Sequence, residues 1–218
     1  MPTLTVRGCK TGRTSTSKPN SKELARDFEP STTYYIGIDP GKNGGLCCLK
    51  GWDRNPSVCA MPDALHDLWG WIRSWVPVVD APMSDVVAVI EKVSTSPQMG
   101  VASAGTFMKG YGTLLMALTA AGISFEEITP QVWQKALHIP PRKKGVKRRV
   151  PNPKKPSKMK TIVKGGETDR QWKGRLRNKA QQLFPSLEVW RGTIGNQLAV
   201  ADAILIAEFC RRRQEGRL

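Results

Sequence analysis

The amino-acid sequence predicts an α/β fold, a mixed five-stranded sheet flanked by helices. Three observations predict it. The stretch "YYIGIDPGKNGGLCCLK", Tyr34 to Lys50, is two apolar runs joined across a Pro-Gly turn, the pattern of an antiparallel hairpin. The stretch "DVVAVIE" is an unbroken apolar run ending on Glu91, as expected of a central strand buried on both faces. Beyond it, extended and helical patterns alternate, which calls for parallel strands joined by helices.

In chain order, residues 1–32 read as a flexible basic arm or the remnant of an organellar transit peptide. Arg7, Lys10, Arg13, Lys18 and Lys22 stand among Ser and Thr with no acid up to residue 22, and a secretory apolar segment is missing. The globular domain spans 33–214. "YYIGI" is its first strand, "GGLCCLK" its hairpin partner and "SVCAM" a third strand. Pro62 to Trp75 has Leu65, Leu68, Trp69 and Ile72 at helical spacing. "DVVAVIE" is the fourth strand, "KVSTSPQMGVAS" a loop, and a helix runs from about Ala104 to Ala121. "ISFEEIT" is a short strand. In "TPQVWQKAL", Thr129 caps a helix and Pro130 takes its first position. "ETDRQWKGRLRNKAQQLFP" is an amphipathic basic helix, "SLEVW" a short edge strand, and "NQLAVADAILIAEFCRRR" a closing helix whose apolar face carries Asp202. Three antiparallel strands followed by alternating strand and helix is the ribonuclease-H-like layout.

One segment interrupts this pattern. Residues 142–164 hold eleven Lys or Arg, three Pro and no acid, so the insertion at 140–166 is expected to be loop-like or disordered until it meets an anion. The whole chain has 34 Lys and Arg against 18 Asp and Glu, formally +16. A surplus of that size favours a polyanionic partner, nucleic acid first. No apolar run approaches the roughly 20 residues of a membrane span, and an anionic membrane surface ranks behind nucleic acid as the partner. Five cysteines without a C-x-x-C pair read as reduced core residues, with Cys47 and Cys48 on opposite faces of one strand.

Three acids stand at the edges of otherwise apolar elements: Asp39 ending the first strand, Glu91 ending the fourth, and Asp202 in the last helix. A lone carboxylate is costly to bury unless paired or bound to metal. In a ribonuclease-H-like sheet the first and fourth strands are neighbours and the last helix packs over their ends, so the three can converge. Carboxylates without His or Cys suit a hard cation, Mg²⁺ or alternatively Mn²⁺. Two such ions about 4 Å apart activate water and stabilise the leaving oxygen in phosphodiester hydrolysis.

The stretches "IGIDPGKNGGL", "VIEK" and "VADAILIAEF" resemble the first, second and last motifs of the RuvC-type Holliday junction resolvases. "IEKVSTSPQMGVASAGTFMKGYGTLLMAL" and "ITPQVWQKAL" look like the organellar and phage members, the monokaryotic chloroplast resolvase group first. The resemblance covers roughly residues 34–138 and 167–212. It implies a homodimeric, Mg²⁺-dependent endonuclease that binds a four-way DNA junction and cuts two opposing strands symmetrically, with two ions per active site. It further implies Asp39, Glu91 and Asp202 as metal ligands and Lys135 near the scissile phosphate. The segment after Glu91, with Lys92, Ser94, Ser96, Gln98 and Met99, approaches the junction centre. Lys42, Lys109, Lys143, Lys144, Arg148, Arg149, Lys173 and Arg177 complete the expected DNA-binding set. The helix from Ala104 to Ala121 is the expected dimer interface. The plastid nucleoid is the expected location, the bacterial cytoplasm for a phage protein the alternative.

The sequence departs from the family at one point. A fourth ligand, Asp or His, usually stands three or four residues before the last Asp, where this chain has Ala199 and Leu198. Either three acids suffice, or Ala199 replaces a ligand and the chain is an inactivated variant that binds junctions but cuts them poorly. Two other readings share part of the pattern: a non-catalytic nucleic-acid binder of the same fold, and an actin-like ATPase using the Gly41–Gly45 turn as a phosphate loop. The second needs another Gly-rich phosphate loop, and none is visible.

Overall fold

The computed structural model describes residues 33–51, 55–76, 86–96 and 99–218, with the backbone alone at residues 147, 152, 155, 156, 160, 161 and 163. Its central sheet has five strands: β1 (Tyr34–Asp39), β2 (Gly45–Lys50), β3 (Ser57–Ala60), β4 (Val86–Glu91) and β5 (Ser124–Ile128). Their spatial order is β3-β2-β1-β4-β5. β2 is antiparallel to β1 and β3, whereas β4 is parallel to β1 and β5. This is the mixed, ribonuclease-H-like sheet that the strand pattern predicts. The helices are α1 (Leu65–Arg73), α2 (Val101–Ala120), α3 (Pro130–Ala136), α4 (Asp169–Leu183) and α5 (Ile194–Gln214). The expected arm, residues 1–32, and Gln98 lie outside the described residues. Among those described, no helix is long and apolar enough to cross a membrane.

Alternation along the strands divides the core in two. Ile36, Ile38, Leu46, Cys48, Ala88 and Ile90 face α1 and α2, where Leu68, Ile72, Leu114 and Leu118 meet them. Tyr35, Cys47, Leu49 and Val89 face the other side, against Trp133, Leu176 and the apolar length of α5. Cys47 and Cys48 do point to opposite faces. Asp39 and Glu91 continue the odd-numbered series, so both belong to the α5 side.

α5 lies unusually near the sheet, because small residues line the contact. A Cβ on Gly37 would stand 2.2 Å from the Ala207 nitrogen and 2.3 Å from the Ala203 oxygen. Only glycine fits there. Ala199, Ala203 and Ala207 recur every four residues on that side of α5, and all are buried. This contact sets how far Asp202, one residue from the ridge, reaches toward the strand ends.

Two elements differ from the sequence-based expectation. The basic insertion is not an irregular loop: β6 (Val146–Asn152) and β7 (Lys155–Lys164) form an antiparallel hairpin, a two-stranded sheet of its own. Charge argues against a packed core, but cross-strand backbone bonds need none, and Val146, Val150, Thr161, Ile162 and Val163 supply β-branched residues suited to strands. "SLEVW" is not an edge strand either. Glu188–Arg191 is a 3₁₀ turn, with Leu187 buried and Trp190 Nε1 donating to the Phe184 carbonyl at 2.7 Å. Indole and leucine anchor to the core beneath, which curls the backbone away from extended form.

Candidate active site

β1 and β4 pair in parallel with Ile38 opposite Ile90. The next residues, Asp39 and Glu91, therefore end neighbouring strands at the same end of the sheet and on the same face. α5 crosses that face and contributes Asp202. Asp39 is 8% and Asp202 5% exposed, and Glu91 is half-buried. The three expected ligands thus gather from three elements.

A fourth residue joins them. Lys173 of α4 makes an ion pair with Asp202 Oδ2, and its Nζ stands 3.9 Å from Asp39 Oδ2. The core-facing stripe of α4 is Leu176 and Ala180; Lys173, three and seven residues before them, lies on that stripe. Thr168 starts α4 with a capping box closed by Gln171, fixing where the stripe begins. On the other flank, Trp133 of α3 is fully buried and its Nε1 donates to Glu91 Oε2 at 3.0 Å.

The electrostatics follow from this crowding. Burial pushes Asp39 well above the usual carboxylate range; the Asp202 charge adds to the rise, Lys173 opposes it and Glu91 adds again. Burial raises Glu91 to about 7, with Trp133 pulling down, Asp202 pushing up and Lys173 pulling down. Burial also raises Asp202 against the pull of Lys173. For Lys173, burial acts downward, but the charges of Asp202 and Asp39 outweigh it and hold the ammonium protonated. Burial is thus the main cause of all three raised carboxylates, and Lys173 opposes it at each.

The donor set fits a hard divalent cation. All three acids offer oxygen, and Asp202 Oδ1 is buried without a hydrogen-bond partner, a state normally resolved by a cation or water. As arranged around Lys173, no group of three or more His, Cys, Asp or Glu among the described residues is spaced to hold one ion. Lys173 supplies the positive charge in this arrangement.

The remaining expected residues fall in several places. Lys135 is exposed on α3 and forms no ion pair with the acids among the described residues; Lys173, expected to contact DNA, stands beside them. Lys42 is exposed in the β1–β2 turn, and Lys92, Ser94 and Ser96 are exposed just after β4, with Met99 half-buried. Lys109 is exposed on α2, Lys143 and Lys144 before β6, and Arg148 and Arg149 on β6. Arg177 is half-buried and donates to Gln197 Oε1 at 3.3 Å and Asn178 Oδ1 at 2.8 Å. Ala199 is buried and Leu198 half-buried. Gln197 donates to the Trp190 and Gly192 carbonyls, so it serves the 3₁₀ turn rather than the acids. Sequence reasoning missed Trp133 and named Lys173 only as a DNA contact, not as a partner of the acids. Trp133 had a signal in the Thr-Pro helix start that precedes it, and Lys173 in its place on an apolar stripe.

No family model and no curated protein matches the chain. Among solved structures, it is similar to Thermus thermophilus RuvC in complex with a Holliday junction substrate, with TM-score 0.45 and 14% identity over 85% of this chain and 97% of that one. It is also similar to a second Thermus thermophilus RuvC structure, with TM-score 0.43 and 15% identity over 85% of this chain and 98% of that one.

Proposed function

We propose that the chain is a metal-dependent, structure-selective endodeoxyribonuclease that resolves four-way DNA junctions. The observation that carries the chemistry is the convergence of Asp39, Glu91 and Asp202 at one end of the sheet, with the buried Asp202 Oδ1 unpartnered. The junction as substrate is supported by the ordered motifs "IGIDPGKNGGL", "VIEK" and "VADAILIAEF" and by the +16 charge.

In this reading Asp39, Glu91 and Asp202 hold Mg²⁺, with Mn²⁺ as a substitute. Bound metal supplies an activated water and stabilises the leaving oxygen. The chain's own residues do the rest. Trp133 fixes the rotamer of Glu91 through its indole N–H, an orienting role typical of groups behind metal ligands. Lys173 neutralises Asp202 and Asp39 while the site is free, and its ammonium is placed to meet a phosphate oxygen once the carboxylates turn to metal. Lys92, Ser94 and Ser96 lie just beyond Glu91 and approach the DNA there. A C2 dimer through α2, whose Met108, Met116 and Val101 are exposed, matches the two-fold symmetry of a junction. A plastid nucleoid location belongs to the same reading.

A non-catalytic binder of the same fold is the second reading, and Ala199 favours it, since no carboxylate stands one turn before Asp202 on α5. One experiment separates the two: incubate the chain with four-way junction, duplex and RNA, with and without Mg²⁺. Symmetric, Mg²⁺-dependent nicks in the junction alone support the nuclease. Junction-selective binding without cleavage supports the binder.

A further inference from the structure

The β6–β7 hairpin is not used by the site just described. Among the described residues its two strands pack mainly on each other and form a sheet separate from the five-stranded one. Its base, by contrast, is tightly held. The Glu167 N–H donates to the Lys143 carbonyl at 3.0 Å, and the Lys143 N–H to Glu167 Oε2 at 3.3 Å. Arg142 pairs with Asp169 at 2.6 Å and Arg175 with Glu167 at 2.7 Å. These bonds tie the hairpin to the first turns of α4, the helix that carries Lys173 to the acids. The ribbon is therefore a lever of fixed origin rather than a tether.

Its charge is arranged for a particular shape. Arg148 and Arg149 are consecutive in β6 and both exposed, so they project from opposite faces. Lys164 pairs across from Val146, two residues from Arg148 on the same face, and Lys158 is exposed near the tip. No acid lies anywhere in 142–164. At about 3.4 Å per residue, the seven residues of β6 extend roughly 20 Å. A slim ribbon basic on both faces cannot satisfy a flat anionic surface, which would use one face only. It suits a channel with phosphates on both walls. The B-form major groove, roughly 12 Å wide, admits a two-stranded β-ribbon, whereas the A-form major groove is too narrow and deep.

We infer that the β6–β7 hairpin enters the major groove of a B-form duplex arm, with Arg148 and Lys164 toward one phosphate strand and Arg149 toward the other. This rests on the reading of the partner as DNA and adds to it: the hairpin grips arms, not the junction centre, and contributes affinity for plain duplex.

The test uses the full chain and a variant, Arg148→Gln with Arg149→Gln and Lys158→Gln, all exposed positions that leave the fold intact. Probes are duplex DNA, duplex RNA of the same sequence, and dimethyl sulfate footprinting of guanine N7 in the major groove. A second variant, with residues 147–163 replaced by a short Gly-Ser turn on the intact Lys143–Glu167 base, repeats the measurement. The expected result is a roughly 10-fold or larger loss of duplex DNA affinity, with the slope of log K against log salt falling by about 2 to 3. N7 protection present in the parent chain should vanish in both variants, and RNA binding should change little. An unchanged DNA slope, equal loss on RNA, or absent N7 protection in the parent chain overturns the inference. Failure of the nuclease reading shows separately, as no Mg²⁺-dependent cleavage of junctions while the duplex results stand.

Discussion

Lys173 of α4 stands against Asp202 of α5, with Asp39 of β1 3.9 Å from the same ammonium. Two carboxylates thus share one built-in cation, whose charge also reaches Glu91. A divalent ion and Lys173 compete for the same negative charge. Lys173→Met should therefore destabilise the metal-free protein by about 1 to 3 kcal/mol, since a partner of a largely buried carboxylate is lost. Added Mn²⁺ should then raise the melting temperature of the variant more than that of the parent, because ligand binding stabilises in proportion to affinity. Equal Mn²⁺ shifts in both proteins would show that Lys173 and metal occupy unrelated places.

Asp39→Asn, Glu91→Gln and Asp202→Asn separate chemistry from binding. Each removes an oxygen ligand and leaves the basic surface as it is. Junction cleavage should fall by about 100-fold or more in each, a loss in the range of other groups that stabilise transition-state charge. Junction affinity should hold or rise, as negative charge near phosphate is removed. Gel-shift and single-turnover cleavage assays measure both, and loss of binding with cleavage intact would falsify the ligand assignment.

Trp133→Phe keeps the ring volume nearly filled but removes the N–H that Glu91 accepts. Glu91 titrates at about 7 in the free site, raised from 4.5. The folded chain holds this proton more tightly than the unfolded one, so this group's contribution to stability is present below about 4.5 and is lost as pH rises through about 7. Metal binding runs the other way, because ligands must be deprotonated: Mn²⁺ affinity should rise through the same interval. Since the indole bond pulls Glu91 down, the variant should bind Mn²⁺ with its pH midpoint displaced upward. Calorimetric titration across pH 5 to 9 reads this shift as an order-of-magnitude change in affinity near neutrality, and an unmoved midpoint would disconnect Trp133 from Glu91.

Gly37→Ala tests the contact that carries α5 to the site. Its Cβ would meet backbone of Ala203 and Ala207 at 2.3 and 2.2 Å, which cannot rotate away. A loss of about 3 kcal/mol is expected, the upper range of overpacking. Gly174→Ala on α4, where an added Cβ meets nothing within 4 Å, should instead stabilise by about 0.5 to 1 kcal/mol through helix propensity. Urea midpoints for the pair decide it: similar midpoints mean that α5 does not depend on Gly37.

Ala199→Asp tests the missing ligand. Positions 199 and 202 are three apart on α5 and share a side, and the Ala199 carbonyl already lies so near β2 that a Cβ on Gly45 would approach it to 2.7 Å. An acid at 199, or at the half-buried Leu198, should tighten Mg²⁺ and raise cleavage by about 10-fold or more, a factor of the size that single ligand changes produce. Junction affinity should stay level or dip slightly. If neither variant responds and the parent chain already turns over at an ordinary rate, three acids suffice.

The sequence by itself determined the sheet and its acids. The apolar run in "YYIGID" and the unbroken run "VVAVIE" are local signals of burial, and a carboxylate ending such a run is visible without any partner. The same holds for Gly and Pro at the β1–β2 turn and for Thr129-Pro130 at the start of α3. Tertiary structure alone decided which cation meets the acids. Lys173 lies on the apolar stripe of α4 and Lys135 on the shorter α3, but a stripe shows only that a face is covered, not what it meets; α4 docking by Leu176 and Ala180 turns Lys173 toward the acids, while Lys135 stays exposed. It also decided the basic insertion. Charge and proline content describe whether a segment can bury a core, and the β6–β7 hairpin buries none. Pairing of Val146 with Lys164 and Arg148 with Ile162 is a non-local match between two strands, which composition, a sum over residues, does not contain.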